Sequence, residues 1–250
     1  MATLHLLGTG AALSDADRTT TMLAVTGPRT TIVIDCGGDV VRRLLAHGID
    51  LDRIAALVVT HEHADHVSGF PLMMERLWLA GRSRPLDVYG IAPAIEQVRR
   101  LHDAFDTSGW PGYPEVRYHE VALDEGALVL HDEDWEITAS PGRHAVPVTG
   151  LRIRDVAGGG VMAYSADTEP SPAIERLASG ADLLVHEATG DGPGHTGAAD
   201  AARLATRAGV RRLRLVHIAP GQAQAQQLLA AARAHFPDVA LGADGDTLTF

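Results

Sequence analysis

Val58 to Gly69 reads VVTHEHADHVSG and sets His61, Glu62, His63, Asp65 and His66 within six residues, directly after the apolar run 55–59. A short run of Ala, Leu and Val with no polar interruption is the pattern of a buried strand. The donors therefore lie at a strand end, and no helix fits between them and the strand. Their side chains are expected to fan around a loop, an arrangement that suits two adjacent cations. At this chain's His and Asp content, H-x-H-x-D-H arises by chance in roughly a few per thousand sequences of this length.

The rest of the composition narrows what could bind there. The 250 residues are expected to form a single domain, 1–250, and 46% apolar with 21% charged residues is the balance of a soluble globular protein. The start, Met1 to Leu13, has no basic segment, and no apolar run approaches the roughly 18 residues of a membrane span, so the expected location is cytoplasmic, with no membrane partner. The single cysteine, Cys36, cannot build a disulfide, a zinc ribbon or a CxxC pair. Any metal must then be held by His and carboxylate. All 21 basic residues are Arg, which excludes a catalytic lysine. The net charge of -11, with arginines scattered or paired at Arg42-Arg43, Arg99-Arg100 and Arg211-Arg212, offers no basic stripe, so nucleic acid is not the favoured partner.

Along the chain, short strands with Gly punctuation come first, then the helix that Gly37-Gly38 opens, the strand before His61, and helices over 70–79 and 92–104. The segment FDTSGWPGYPE (Phe105 to Glu115) holds two Pro, two Gly and three aromatics. It reads as a loop, either a lid over a site or a packed surface crossing, with Trp78, Trp110 and Tyr113 as candidate pocket walls. Further strands follow to residue 164, and helix and strand alternate to the end. Strand-rich and helix-bearing segments thus occur twice, as two sheets packed face to face with helices outside require.

H-x-H-x-D-H at a strand end resembles the signature of the metallo-β-lactamase superfamily. SPGRHAVPVTG (Ser140 to Gly150), YSADT (Tyr164 to Thr168), LLVHEAT (Leu183 to Thr189), GHT (Gly194 to Thr196) and LVHIAP (Leu215 to Pro220) resemble elements of its ribonuclease Z branch. The matches keep family order from LGTG (Leu7 to Gly10) to ADG (Ala243 to Gly245). The resemblance implies an α+β fold, a four-layer αβ/βα sandwich, with two divalent metal ions in the cleft at the sheet ends. It places His61, His63 and His144 on one metal, Asp65, His66 and His217 on the other, and Asp167 between them. Nitrogen and oxygen donors without thiolate suit zinc first, with manganese or iron as alternatives.

The activity implied is hydrolysis through a hydroxide shared by the metals, with Asp65 orienting it, His195 protonating the leaving oxygen and Glu187 holding an imidazole in the required tautomer. Asp35 is read as a hydrogen-bonding group behind the ligands, and His186 as a buried structural residue. The expected substrate is a small or flexible phosphodiester. Transfer-RNA 3′ processing is the alternative, and a lactone, thioester or sulfate ester a third. The span from His144 to Asp167 is too short for the arm that many ribonuclease Z proteins insert there to hold the transfer-RNA elbow, and the N-terminal P-x-K-x-R-N element is reduced to Arg18-Thr19. The resemblance also makes a homodimer reasonable.

Overall fold

The apolar runs that follow one another along this chain are strands buried on both faces. The computed structural model describes the main chain of all 250 residues and the side chains of all but 222–224. The first sheet takes β1 (Thr3–Gly8), β2 (Met22–Thr26), β3 (Thr31–Ile34), β4 (Ile54–Val59), β5 (Leu86–Gly90) and β6 (Val116–Glu120) in that spatial order. The second takes β7 (Ala127–His131), β8 (Trp135–Pro141), β9 (Thr149–Asp155), β10 (Val161–Tyr164), β11 (Leu183–Glu187), β12 (Leu213–Val216) and β13 (Val239–Leu241), again in sequence. The chain then returns as β14 (Thr247–Thr249) to pair antiparallel with β1. In each sheet antiparallel neighbours give way to parallel ones, at β3–β4 in the first and β10–β11 in the second.

Alternation along each strand sorts side chains into three apolar layers. Leu23, Val25, Ile32, Ile34 and Val58 meet Trp135, Ile137, Leu151, Ile153 and Val185 between the sheets. Ala24, Val33, Leu57 and Val59 face outward, against α1 (Val40–Ala46), α3 (Phe70–Leu79) and α4 (Ala92–Asp103). On the far side Ala163, Leu184 and Leu215 pack on α5 (Pro172–Ala178), α6 (Ala198–Ala208) and α7 (Gln222–Arg233). The result is the expected four layers. Among the described residues no helix is long and apolar enough to cross a membrane.

Three sequence readings need correction or refinement. A one-turn helix, α2 (Ala64–Val67), carries Asp65 and His66, where a loop was expected; four residues close one turn even directly behind a strand. Gly37 is small for a reason other than starting a helix: a Cβ there would overlap the Asp65 carbonyl, so the turn after β3 lies flat against α2. Residues 105–115 form a packed crossing over α3, where the Trp78 indole N–H donates to the Pro111 carbonyl at 3.0 Å and Trp78 and Trp110 lie 4.7 Å apart. Trp110 and Tyr113 wall a separate cavity of about 200 Å³ that none of the candidate metal donors lines.

Candidate metal centre

The donors that follow β4 in the first sheet and β8, β10 and β12 in the second converge, so the carboxyl ends of these strands meet at one edge of the sandwich, the usual place for a site in sheets of this kind. The segment after β4 brings His61, His63, Asp65 and His66 there; His144 follows β8, Asp167 follows β10 and His217 follows β12. Donor atoms of His61, His63 and His144 fall within 4.8 Å of one another, as do those of Asp65, His66 and His217 and those of His61, His66 and Asp167. Asp167 thus stands between the two triads. Its Oδ2 lies 3.9 Å from His61 Nε2, 3.6 Å from His66 Nε2 and 3.2 Å from His217 Nε2. All seven candidate ligands are together, and Glu62 enters none of these groups.

The unused ring nitrogen of four histidines is spoken for. His66 Nδ1 lies 2.8 Å from Asp35 Oδ2, and His144 Nδ1 2.7 Å from the Gly194 carbonyl oxygen, so both nitrogens donate. Thr60 Oγ1 donates to Asp35 and faces His61 Nδ1 at 3.0 Å; Thr189 Oγ1 donates to the His217 carbonyl and faces His217 Nδ1 at 2.6 Å. Each hydroxyl, having spent its proton, accepts from the imidazole. Nε2 is therefore the free, lone-pair-bearing atom on all four rings, the arrangement that metal-ligating histidines require.

The free atoms fit cations better than they fit each other. His63 Nδ1 faces His61 Nε2 and His144 Nε2, both at 3.1 Å, yet a ring nitrogen has one proton or one lone pair and cannot satisfy both. His66 Nε2 and Asp167 Oδ1 are buried without any hydrogen-bond partner. Donors on one tetrahedral zinc ion at about 2.0–2.1 Å stand about 3.3–3.4 Å apart, close to the 3.4 Å from Asp65 Oδ2 to both His66 and His217. Burial pushes the His61 imidazole down to about 2 and lowers His63 as well, so both rings favour the neutral form that a metal ligand needs. Burial works to raise Asp65 and Asp167, but the facing histidines outweigh it and hold both carboxyls below the usual range. Burial opposes charge on His66, yet Asp167 and Asp35 raise it well above 6.5; the pocket is built for positive charge.

Backbone strain gathers at the same edge. Asp35 (φ 58°), Ala166 (φ 51°) and His217 (φ 55°) are the non-glycine residues in the left-handed region, and they end β3, β10 and β12. Such conformations cost on the order of 1–3 kcal/mol each and persist where surrounding contacts over-determine them. Asp35 is fixed by Thr60 N–H at 2.9 Å and by His66. No local pattern in the sequence announces this strain.

His195 stands beside the donors without joining either triad: one of its nitrogens comes within 4.8 Å of donor atoms of His144 and Asp167. Its Nδ1 lies 3.0 Å from Glu187 Oε1, and that hydrogen bond, against burial, raises its pKa above 6.5. Glu187 is fully buried and held by the Thr168 N–H at 2.8 Å and the Thr189 N–H at 3.1 Å. His186 is buried with Nδ1 against the Glu187 carbonyl, away from the cluster. Thr60, Thr189 and the Gly194 carbonyl, which orient the rings, were not singled out in the sequence, since hydroxyl and carbonyl acceptors carry no spacing signature.

The β-lactamase superfamily domain matches residues 30–218, an interval that spans every one of these donors. The chain belongs to this superfamily. Among relatives of this superfamily member, the ribonuclease Z of Methanothermobacter thermautotrophicus is 30% identical, over 95% of this chain and 93% of that protein. The metallo-β-lactamase fold protein YhfI from Bacillus subtilis superimposes with a TM-score of 0.84 at 22% identity, covering 99% of this chain and 98% of that one. The short form of human tRNase Z gives 0.80 at 23% identity, with the same coverage. The protein is a metal-dependent hydrolase of the superfamily, with a His/Asp cluster able to hold divalent metal.

Proposed function

We propose that the protein hydrolyses a small or flexible phosphodiester at a two-metal centre formed by His61, His63 and His144 on one side, Asp65, His66 and His217 on the other, and Asp167 between. One observation carries the choice of substrate. β9 and β10 are joined by the five residues 156–160, closed by Asp155, whose side chain accepts from the Ala157 and Gly158 N–H groups at 3.0 and 2.9 Å. This is the interval where a transfer-RNA-holding arm would have to leave the sandwich. Alignment with the Methanothermobacter relative runs over 292 positions, at least 42 more than this chain has residues, in keeping with a part of that protein that has no counterpart here.

Two divalent ions, when bound, supply Lewis acidity toward a phosphoryl oxygen and a water of lowered pKa. Zinc is the ion we expect, since the donor set is nitrogen and oxygen at tetrahedral spacing. The protein's own contribution is orientation and proton management. Asp65, ionised and facing both His66 and His217, accepts a hydrogen bond from the attacking water and fixes its direction. His195 carries its proton on the side turned to the donors and delivers it to the leaving oxygen, while Glu187 holds Nδ1–H and stabilises the charged ring.

The second reading, transfer-RNA 3′ endonuclease, is supported by the name of the relative, ribonuclease Z. Hydrolysis of bis-p-nitrophenyl phosphate with added zinc or manganese, beside precursor transfer RNA and a panel of lactones and thioesters, separates these readings. We expect chelator-sensitive turnover of the diester and little on precursor RNA. Faster cleavage of precursor RNA at its 3′ trailer would reverse the choice, and turnover unaffected by chelator would remove the metal mechanism.

A further inference from the structure

We infer that Arg143 forms a second phosphate-binding subsite beside the metal centre, so that the preferred diester carries an additional phosphate on the portion that keeps the scissile phosphorus. The inference rests on the phosphodiester reading above and specifies its substrate class.

Arginine is this protein's only strong cation, and nearly all of it is used internally. Of the 21 arginines, eighteen have a side-chain hydrogen bond, ion pair or aromatic face among the described residues. Arg42, Arg143 and Arg233 have none among those residues, and of these only Arg143 neighbours a candidate metal ligand, His144. Its guanidinium is exposed, yet its main chain is pinned on both sides: the Arg143 N–H donates to Thr168 Oγ1 at 2.9 Å, and the Glu169 N–H donates to the Arg143 carbonyl at 2.7 Å. The strand exit carrying Asp167 thus fixes where the arginine starts. The main chain fixes only that start, and the unpaired fork has all its donors available to a phosphate, against the cost of ordering its own exposed side chain.

The clefts around the cluster differ in charge. Arg143 and His144 line one of about 400 Å³ with Val146 and Glu169; it adjoins a second of about 230 Å³ where Arg143 recurs and Arg176 stands, paired with Glu125. On the His195 side a cleft of about 370 Å³ is lined by Glu169, Asp191 and Asp200, with no basic side chain but His195. The first path is balanced, Arg143 and Arg176 against Glu125 and Glu169, whereas three carboxylates line the second, so an anion meets less repulsion along the first and finds the unpaired guanidinium only there. Since His195 serves the leaving oxygen, the uncharged leaving group occupies the acidic cleft. The retained portion, with its extra phosphate, then extends along Arg143.

Two substrates with one leaving group test this: the 5′-p-nitrophenyl ester of thymidine 5′-phosphate, with and without a 3′-phosphate. The zinc-loaded enzyme should prefer the 3′-phosphorylated ester by about tenfold or more in kcat/KM, mostly through KM, the scale of a charge-assisted hydrogen bond. Arg143→Gln should bring the ratio close to one, with Arg143→Lys between, because it keeps charge but loses the fork. Calorimetry provides a reading independent of turnover: thymidine 3′,5′-bisphosphate should bind more tightly than thymidine 5′-phosphate, and Arg143→Gln should abolish the difference. A ratio equal in wild type and Arg143→Gln, or equal affinity for the two nucleotides, overturns the subsite. Failure to hydrolyse either ester, with the Arg143-dependent binding difference intact, would instead sink the hydrolysis reading and leave the subsite standing.

Discussion

The two sheets follow one strand plan but deliver their donors differently. The first contributes His61, His63, Asp65 and His66 from a single run after β4, shaped by one helical turn and fastened to the segment after β3 by Cys36 N–H to the His66 carbonyl at 2.7 Å and Gly69 N–H to the Cys36 carbonyl at 2.8 Å. The second contributes His144, Asp167 and His217 one at a time from β8, β10 and β12, two of them at or beside a left-handed residue. In the first sheet the chain itself keeps the donors together. In the second, strand pairing does, and the individual donor has no local substitute. Removing a donor of the second set should therefore cost more than weakening the support of the first.

The largest effect is expected at Asp167, whose Oδ2 faces both triads. Asp167→Asn keeps the shape and removes the charge that His61, His66 and His217 all face. Diester kcat/KM should fall by about a thousandfold, the order of several kcal/mol of lost charge stabilisation, and elemental analysis should find less than the wild-type metal content. Full metal occupancy with normal turnover would show that the second sheet's carboxylate is dispensable. Next comes His195→Ala, which should lower turnover by roughly two orders of magnitude, the scale of a general acid, while metal content stays unchanged. A parallel loss of metal would make His195 a ligand instead.

Support for the first set is tested at Asp35. Its carboxylate binds Thr60 and His66, and through Thr60 it also sets the His61 ring. Asp35→Asn should weaken metal affinity by about 10- to 100-fold, the usual range for a group that orients a ligating histidine, read by competition with a chromophoric chelator. Unchanged affinity would mean that chain geometry alone positions His61 and His66.

This contrast also explains what could be read from the sequence. The first set is contiguous, so its spacing declared the site, and two-faced apolar strands such as 54–59 and 183–187 declared the sheets. His144, Asp167 and His217 are legible only through the order of family-like segments, because a side-chain contact spanning 152 residues from one sheet to the other, as between Asp65 and His217, leaves no local trace. The turn around Asp65 and the close approach at Gly37 have no signature in the sequence, because both depend on a contact between the segment after β3 and α2 that spacing does not encode. Unpaired arginines are equally invisible in sequence: Arg143 differs from the other twenty only in what surrounds it.

Asp244 ties the first sheet's N-terminal loop to the end of the chain, and it tests whether the halves are coupled outside the metal cluster. It accepts from Thr9 Oγ1 at 2.7 Å and Thr19 N–H at 2.8 Å, and it pairs with Arg43, which also donates to the Leu7 carbonyl at 2.7 Å. The carboxylate is nearly buried and Arg43 is about one-quarter exposed, so solvent screens only part of the pair. Asp244→Asn leaves the guanidinium facing a neutral amide and turns one acceptor into a donor opposite Thr9 or Thr19. We expect a loss of about 1–3 kcal/mol of stability in urea unfolding, with metal content unaltered because no donor touches this network. A change below about 0.5 kcal/mol, the scatter of ordinary surface substitutions, would show that this network adds little to the coupling of the two sheets, leaving it to their shared apolar layer and to crossings such as Asp134 with Arg29 and Thr30.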